Sequence, residues 1–406
     1  MKKKTAMVCL LQSASILCLV VVMLFGVTLS AYSARPQGVT DDTINVGVIL
    51  DQTGPISDLI VPVTKGLRSL FRYTNEQGGI NGRKLKLIVE DDRCAIPLSV
   101  SAFKKLLYRD GVVSLIGPTS LSSTVALLKS IEKEKIPTIP GSPSEMMVNP
   151  VQRYIFTIQD ISSGQMNIIV DYIIKDLKGK DSRIALVYSD TEAGKTDLDP
   201  ALKRLKLYNI EPVAKEVFNY TSIEATSQVM NLRKAKVDYI ILCGHISQSA
   251  ITMLREMSRF NLNVPLFGGW ATCNETIMDI GEAANQFYAT NAMASWYDEG
   301  PGVAKMREIT LKYEPGTEKP YRGKTYTAGW LEGLIIIEAL KRAGRDLDGE
   351  AIVRGLETMN NFNTGGVSGT ISYSPTDHKG GDAWKIFKSD PSSGKFAPMT
   401  EWRNSQ

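Results

Sequence analysis

The sequence predicts an α/β protein built as two Rossmann-like lobes, each a mostly parallel sheet covered by helices. Three observations carry this reading. Short β-branched apolar runs alternate with longer segments of helical periodicity, the arrangement that gives parallel strands joined by helices. The alternation pauses after IPTIPG and restarts at YIFTIQD. The chain of 406 residues is also longer than one hydrophobic core ordinarily fills.

The elements follow in order. INVGVIL, Ile44 to Leu50, is apolar enough for a strand buried on both faces, and Pro62 to Asn75 repeats apolar residues at helical spacing before NEQGGINGRK turns the chain. KLKLIVEDD, Lys84 to Asp92, is the second strand. A helix from Pro97 to Arg109, the strand GVVSLIGP, a helix from Ser122 to Glu134 and IPTIPG complete the first series. The second series opens at YIFTIQD with a helix from Gly164 to Lys175. SRIALVYSD, EPVAKEVF and VDYIILCG are strands, a helix runs from Gln248 to Arg259, and NVPLFGGW and GEAANQFYATNAM finish the sheet. Helices over Gly302 to Tyr313, Tyr326 to Ala343 and Gly349 to Thr358 come next, with Tyr326 and Trp330 sharing one face as core residues. GVSGTISYSPTDHKGGDAWKIFKS then alternates like a hairpin with DHKGG at its turn. Two such lobes leave a cleft between them, where open sheets present the loops at the carboxyl ends of their strands.

Ahead of the lobes, residues 1–33 read as a secretory signal. Lys2, Lys3 and Lys4 form a basic head, Leu10 to Leu29 is mostly apolar, and Ala31 and Ser33 supply small side chains, with cleavage after Ser33. The apolar stretch is close to spanning length, so a retained N-terminal anchor is the alternative. The formal charge of +4 falls to about +1 once the three signal lysines are set aside, and nothing steers the protein toward nucleic acid. Cys9 and Cys18 lie in the signal, which leaves Cys94, Cys243 and Cys273. An oxidising compartment permits one disulfide among three thiols. Cys243 and Cys273, each ending an apolar run of the second lobe, are the candidate pair.

The loops disfavour several chemistries. After the first strand stand Asp51, Gln52, Thr53, Gly54 and Pro55, with one glycine and no lysine for a phosphate, while Gly78, Gly79 and Gly82 form an ordinary turn. The chain has two histidines, His245 and His378, no G-x-S-x-G elbow and no C-x-x-C spacing, so nucleophilic catalysis and metal binding both lack their usual residues. Asp51, Asp91 and Asp92 end first-lobe strands; paired-carboxylate hydrolysis is one reading, and helix capping or lining the cleft edge is the stronger one. No cofactor is expected. What the strand ends do offer is hydroxyls, backbone amides and aromatics. Asp51 and Thr53, the turn Ser120, Leu121 and Ser122 at a helix N-terminus, and Gly141, Ser142 and Ser144 face the cleft from the first lobe. Asp160, Tyr188, His245 and Trp270 face it from the second. A helix N-terminus holds a carboxylate without a basic side chain, and aromatics opposite complete a clamp for a small solute.

In VGVILDQTGP, NEQGGINGRKLKLIVEDDRC, IGPTSLSST, LFGGW and the late GTISYSPTDHKGG, in that order and spacing, the chain closely resembles the type I periplasmic binding proteins of branched-chain amino acid ABC transporters. The resemblance implies two lobes joined by three crossovers that close over a solute. It assigns residues 41–159 and 291–363 to the first lobe and 160–290 and 364–406 to the second. It implies a periplasmic, monomeric, non-enzymatic receptor that hands its solute to a membrane ABC permease. It places a ligand carboxylate against Ser120, Leu121 and Ser122 and the loop from Gly141 to Ser144. It also implies departures: Trp270 stands where the leucine receptor has an acid for the substrate ammonium, Ala193 and His245 replace pocket tyrosines, and the family disulfide would link Cys94 to the position held by Ser120. An ammonium buried without an anionic partner is expensive. The expected ligand is therefore a carboxylate-bearing solute, a non-amino organic or aromatic acid ahead of an amino acid, with Trp270 packing on its body. Asp160, Glu192 and Glu275 are the acids available to restore the missing charge. The alternative is a sensor-type binding protein reporting an amide, urea or aromatic solute to a membrane partner.

Overall fold

The computed structural model describes residues 38–160, 162–219, 221–314 and 323–405; the signal read at 1–33 lies outside them. No helix of the described residues is long and apolar enough to cross a membrane.

The first sheet has four parallel strands in the order β2, β1, β3, β4, with β1 Thr43–Ile49, β2 Lys84–Glu90, β3 Ser114–Ile116 and β4 Thr138–Ile139. Helices α1 Ser57–Glu76, α2 Ile96–Tyr108 and α3 Leu121–Glu134 connect them. Val46, Val48 and Ile49 of β1 and Leu115 and Ile116 of β3 are buried, as strands covered on both faces require. After β3 the chain passes so close to β1 that a Cβ on Gly117 would lie 2.0 Å from the Ile49 carbonyl oxygen, and Gly117 has φ +101°. Only glycine fits that crossing.

The second sheet runs β13, β12, β9, β8, β7, β5, β6, and β14 also pairs with β12. Its parallel part is β5 Ile184–Tyr188, β6 Ala214–Val217, β7 Tyr239–Cys243, β8 Leu266–Gly268 and β9 Phe287–Asn291; β12 Ala383–Asp390 adds antiparallel to β9, and β13 Lys395–Pro398 and β14 Arg403–Asn404 add antiparallel to β12. Helices α4 Ser162–Asp171, α5 Glu192–Leu207, α6 Thr226–Lys234 and α7 Ser247–Arg259 cover it. Strand alternation splits its core in two. Ala185, Val187, Ile240 and Leu242 pack in one cluster, and Ile184, Leu186, Ile241 and Cys243 in the other.

That split corrects the cysteine pairing. Cys243 and Cys273 are both free thiols, and they sit in different clusters, Cys243 with Ile184 and Ile241 and Cys273 with Ile240 and Leu242. The sheet stands between the two side chains. Burial pushes both thiols up, Cys273 to about 12. The hairpin turn also moves. Strands β10 Ser372–Ser374 and β11 Asp377–Gly380 pair around Pro375 and Thr376, and His378 and Gly380, read as turn residues, belong to β11. His378 is buried with its ring stacked on Phe156 at 3.8 Å, which holds this segment against the first core.

Helices α8 Pro301–Tyr313, α9 Lys324–Ala343 and α10 Gly349–Glu357 return to the first lobe, and Val303, Tyr326, Trp330, Ile335 and Ile352 join its core. Val367, Ile371 and Tyr373 belong to that same core, so the segment from 364 to about 380, assigned above to the second lobe, packs with the first. The chain passes between the sheets beside Gln159, which bridges Gly381, beside Asn291 and Met293, and beside Gly381 itself.

Helices α1 and α9 cross at glycines. A Cβ on Gly329 would lie 2.1 Å from the Val63 carbonyl oxygen, and one on Gly66 2.5 Å from that of Tyr326. Gly329→Ala should therefore destabilise the protein by about 1–3 kcal/mol in urea unfolding through overpacking. At an uncrowded helix position the same change stabilises by up to ~1 kcal/mol, so the sign of the shift reports the contact.

Candidate functional site

A cavity of about 300 Å³ lies where the two sheets' loops meet the crossing segments. Its first-lobe wall is mostly apolar: Leu50 at the end of β1, Ile56, Leu59, Ile60 and Val63 on and before α1, and Ala328 on α9. Thr119 and the turn Pro140, Gly141, Ser142 and Pro143 close one side, and Ile158, Gln159, Asp160 and Met293 of the crossing segments form the floor. The second lobe contributes Gln165, Trp270 and Trp384. A small, largely apolar pocket with a few polar groups is the usual form of a solute site.

Of the residues named from sequence, Gly141, Ser142, Asp160 and Trp270 line this cavity. Trp270 is fixed at both ends of its chemistry. Its backbone N–H donates to Gln165 Oε1 at 2.7 Å, its carbonyl accepts from Lys324 Nζ, and the Lys324 ammonium lies 4.2 Å from its ring centroid. Burial lowers Lys324 to about 8. Gln165 is itself held, donating from Nε2 to Asp197 Oδ1 at 3.0 Å. Asp160 receives the Ser405 hydroxyl at 3.1 Å.

The others named from sequence are spent elsewhere. Buried Asp51 accepts from the Gly54 and Ile56 N–H groups, so its carboxylate folds the loop after β1. Exposed Thr53 donates to Asp91 Oδ2. Ser120 caps α3, accepting from Ser123 N at 3.1 Å, and Leu121 and Ser122 are exposed on the first turn outside the cavity. The Ser120 hydroxyl thus caps the first turn of α3 from within the helix. Ser144 supplies the carbonyl that accepts from Met147 N. Tyr188 packs in the second lobe's core. His245 is core as well: its ring stacks on Phe218 with centroids 5.5 Å apart, Nδ1 is 3.2 Å from Ser249 Oγ, and burial lowers its pKa to about 4. It is neutral at pH 7 and does not line the cavity.

The Cys94 thiol makes a side-chain hydrogen bond with Ser120, and burial raises its pKa. These are the two positions that the family disulfide would join, with a hydroxyl in place of the second sulfur. Thr119 is anchored from behind, its N–H and hydroxyl donating to Asp92 Oδ2 and Oδ1 at 3.0 and 2.8 Å while its oxygen accepts from Asp51 N at 2.7 Å.

Sequence position does not single out most of the lining, and Glu332, Gln159 and Trp384 stand out among the residues it misses. Glu332 lies in the middle of α9 and is buried, and Gln159 and Trp384 are buried too. Among the described residues Glu332 Oε2, Gln159 Oε1, Trp270 Nε1 and Trp384 Nε1 are buried polar atoms with no hydrogen-bond partner. Native interiors leave few such groups, and each one costs stability. All four belong to residues that line the cavity. Burial alone raises Glu332 to about 8. In the sequence Glu332 is one acid inside the apolar run WLEGLIII, a pattern that marks a buried acid without placing it on a cavity. No group of three His, Cys, Asp or Glu side chains among the described residues could hold a metal ion.

Two α/β lobes around a partly open, largely apolar cavity have the form of a solute-binding protein. The profile of the periplasmic binding protein family matches residues 43–395, and the chain belongs to that family. It is a non-catalytic, periplasmic solute-binding protein. It is 22% identical over 352 residues to the Leu/Ile/Val-binding protein homolog 3 of Brucella melitensis biotype 1, a match covering 86% of this chain and 91% of that one. Among solved structures it is similar to a branched-chain amino acid ABC transporter protein from Thermus thermophilus with bound valine, at TM-score 0.77 and 22% identity, covering 90% of this chain and 97% of that one. It is also similar to a fatty acid ABC transporter substrate-binding protein from Thermomonospora curvata, at TM-score 0.75 and 21% identity, covering 91% and 94%. These likenesses establish the architecture.

Proposed function

We propose that this receptor captures a small monocarboxylate with an apolar or aromatic body in the interlobe cavity and delivers it to an ABC permease. The observation that carries the reading is the cavity itself: about 300 Å³, walled by Leu50, Ile56, Leu59, Ile60, Val63 and two tryptophans, with buried polar atoms awaiting a partner. That volume sits at the small end of solute sites, which run from about 300 to 1,000 Å³. The apolar wall suits a hydrocarbon or aromatic body, and Trp270 offers the ring surface for it. The two indole N–H groups and the turn at Gly141 and Ser142 supply donors for carboxylate oxygens. Relatives that take a branched-chain amino acid and a fatty acid share an apolar body joined to a carboxylate, and the cavity suits that common chemistry.

The test is a thermal-shift screen of ligand-stripped protein against leucine, isoleucine, valine, benzoate-type acids, dicarboxylates, amides and urea. A solute that binds only the folded form raises the midpoint. The largest shift is expected from an apolar monocarboxylate, and Trp270→Ala should remove most of it. A screen in which only urea, amides or dicarboxylates shift the midpoint would overturn the reading.

A further inference from the structure

The cavity's polar groups are unevenly divided. Trp270 Nε1 and Trp384 Nε1 can only donate, and Gln159 Oε1 can only accept. Glu332 decides the balance, since a carboxylate only accepts whereas a carboxylic acid also donates. Every charge on the elements packed against it is turned away or engaged. On α1, Asp58, Lys65 and Arg68 are exposed, and Arg72 pairs with Glu76. On α10, Glu350 and Glu357 pair with Arg153, and Arg354 is exposed. On Glu332's own helix, Lys324 donates to the Trp270 carbonyl, Glu338 pairs with Arg342, and Lys341 is exposed. The other titratable group lining the cavity is Asp160, a second acid, and among the described residues no lysine, arginine or histidine lines it.

A buried acid with no cation beside it takes its neutral form, because burial penalises the charge and nothing repays it. We infer that Glu332 meets the solute as a neutral carboxylic acid, donating its proton in a hydrogen bond to an acceptor oxygen of the ligand, and that it thereby selects acceptor-rich solutes over ammonium-bearing ones. This rests on the cleft binding a small apolar carboxylate. The neutral acid removes one of the two negative charges that would repel such a ligand, the other being Asp160, which accepts from the Ser405 hydroxyl, and it makes the cavity's unpaired groups mostly donors. An ammonium would instead bring further donors to Trp270 and Trp384. Binding is also proton-linked. Glu332 is protonated below about pH 8, so affinity is flat there and falls about tenfold per pH unit above it.

The test is isothermal titration of the intact, ligand-stripped protein with 4-methylpentanoate and with leucine, which share a carbon skeleton and differ by the ammonium. The wild type is expected to bind 4-methylpentanoate at least tenfold more tightly. Glu332→Gln keeps a donor and the side-chain volume, so it should weaken binding at pH 7 less than Glu332→Ala does while abolishing the fall above pH 8. Glu332→Ala should lose tenfold or more. Tighter binding of leucine, with Glu332→Gln removing the preference, would make Glu332 an anionic partner and overturn the inference while leaving the carboxylate reading intact. Binding of 4-methylpentanoate that neither variant changes would also overturn the inference alone. Binding of neither solute would overturn the carboxylate reading and this inference with it.

Discussion

Glu332→Gln should make the ligand-free protein more stable than the wild type at pH 8.5, by on the order of 3–5 kcal/mol, and this advantage should vanish toward pH 4. The sign follows from burial. Glu332 is raised from 4.5 to about 8 in the folded protein because it is taken out of water. Between those values the folded state holds a proton that the unfolded chain has released, so Glu332's contribution to stability falls as pH rises through the window. Above pH 8 both states are ionised and the full cost of a buried, unpaired carboxylate is reached. Glutamine does not titrate, so the difference between the two proteins in urea unfolding, measured at each pH, isolates this one group. A difference that stays constant from pH 4.5 to 8.5 would mean that Glu332 is ionised and paired in the folded state.

Asp92→Ala should cost about 3–5 kcal/mol in the same assay, with a further loss of ligand affinity. Asp92 is fully buried and accepts four hydrogen bonds: from Cys94 N at 3.0 Å, Ser99 Oγ at 3.0 Å, Thr119 N at 3.0 Å and Thr119 Oγ1 at 2.8 Å. It ties the loop after β2 to the loop after β3. Removing it strands buried donors in both, and bonds to a charged acceptor contribute about 1.5–3 kcal/mol each. Because Thr119 lines the cavity, the loosened loop should weaken binding even though Asp92 never reaches the solute. Asp92→Asn should lie between the alanine variant and the wild type, since its amide nitrogen would face donors.

Much of the architecture was legible because buried parallel strands are written as apolar β-branched runs. INVGVIL, SRIALVYSD and VDYIILCG all became strands of the expected sheets. Helices α5 and α6 carry weaker apolar periodicity, with Pro200 inside α5 and polar residues throughout α6, and were not read. The late hairpin was placed at DHKGG because paired glycines suggest a turn, whereas Gly380, at φ +76° and with room for no Cβ beside the Thr157 carbonyl, serves a close approach between segments instead. For the site, strand-end position identified the loops that reach the cleft, and Gly141, Ser142, Asp160 and Trp270 followed. It could not tell which polar groups the loops had already used. Asp51, Thr53 and Ser120 carry suitable chemistry but satisfy their own backbone or neighbours. Glu332 was hidden for the opposite reason. It lies in a helix that is apolar nearly all round, α9, whose sequence reads as core, and only the packing of α1 against α9 sets it on the cavity wall.

The central claim, a cleft built for an apolar monocarboxylate, is tested most directly by calorimetric titration of ligand-stripped protein with 4-methylpentanoate and its primary amide. The two have the same body. The acid presents two acceptors to the indole N–H groups and to Glu332, whereas the amide exchanges one of them for a donor, for which Gln159 Oε1 is the unpaired acceptor on the wall. The acid is expected to bind at least tenfold more tightly, and Trp270→Ala to weaken it. Equal or tighter binding of the amide would contradict the central claim.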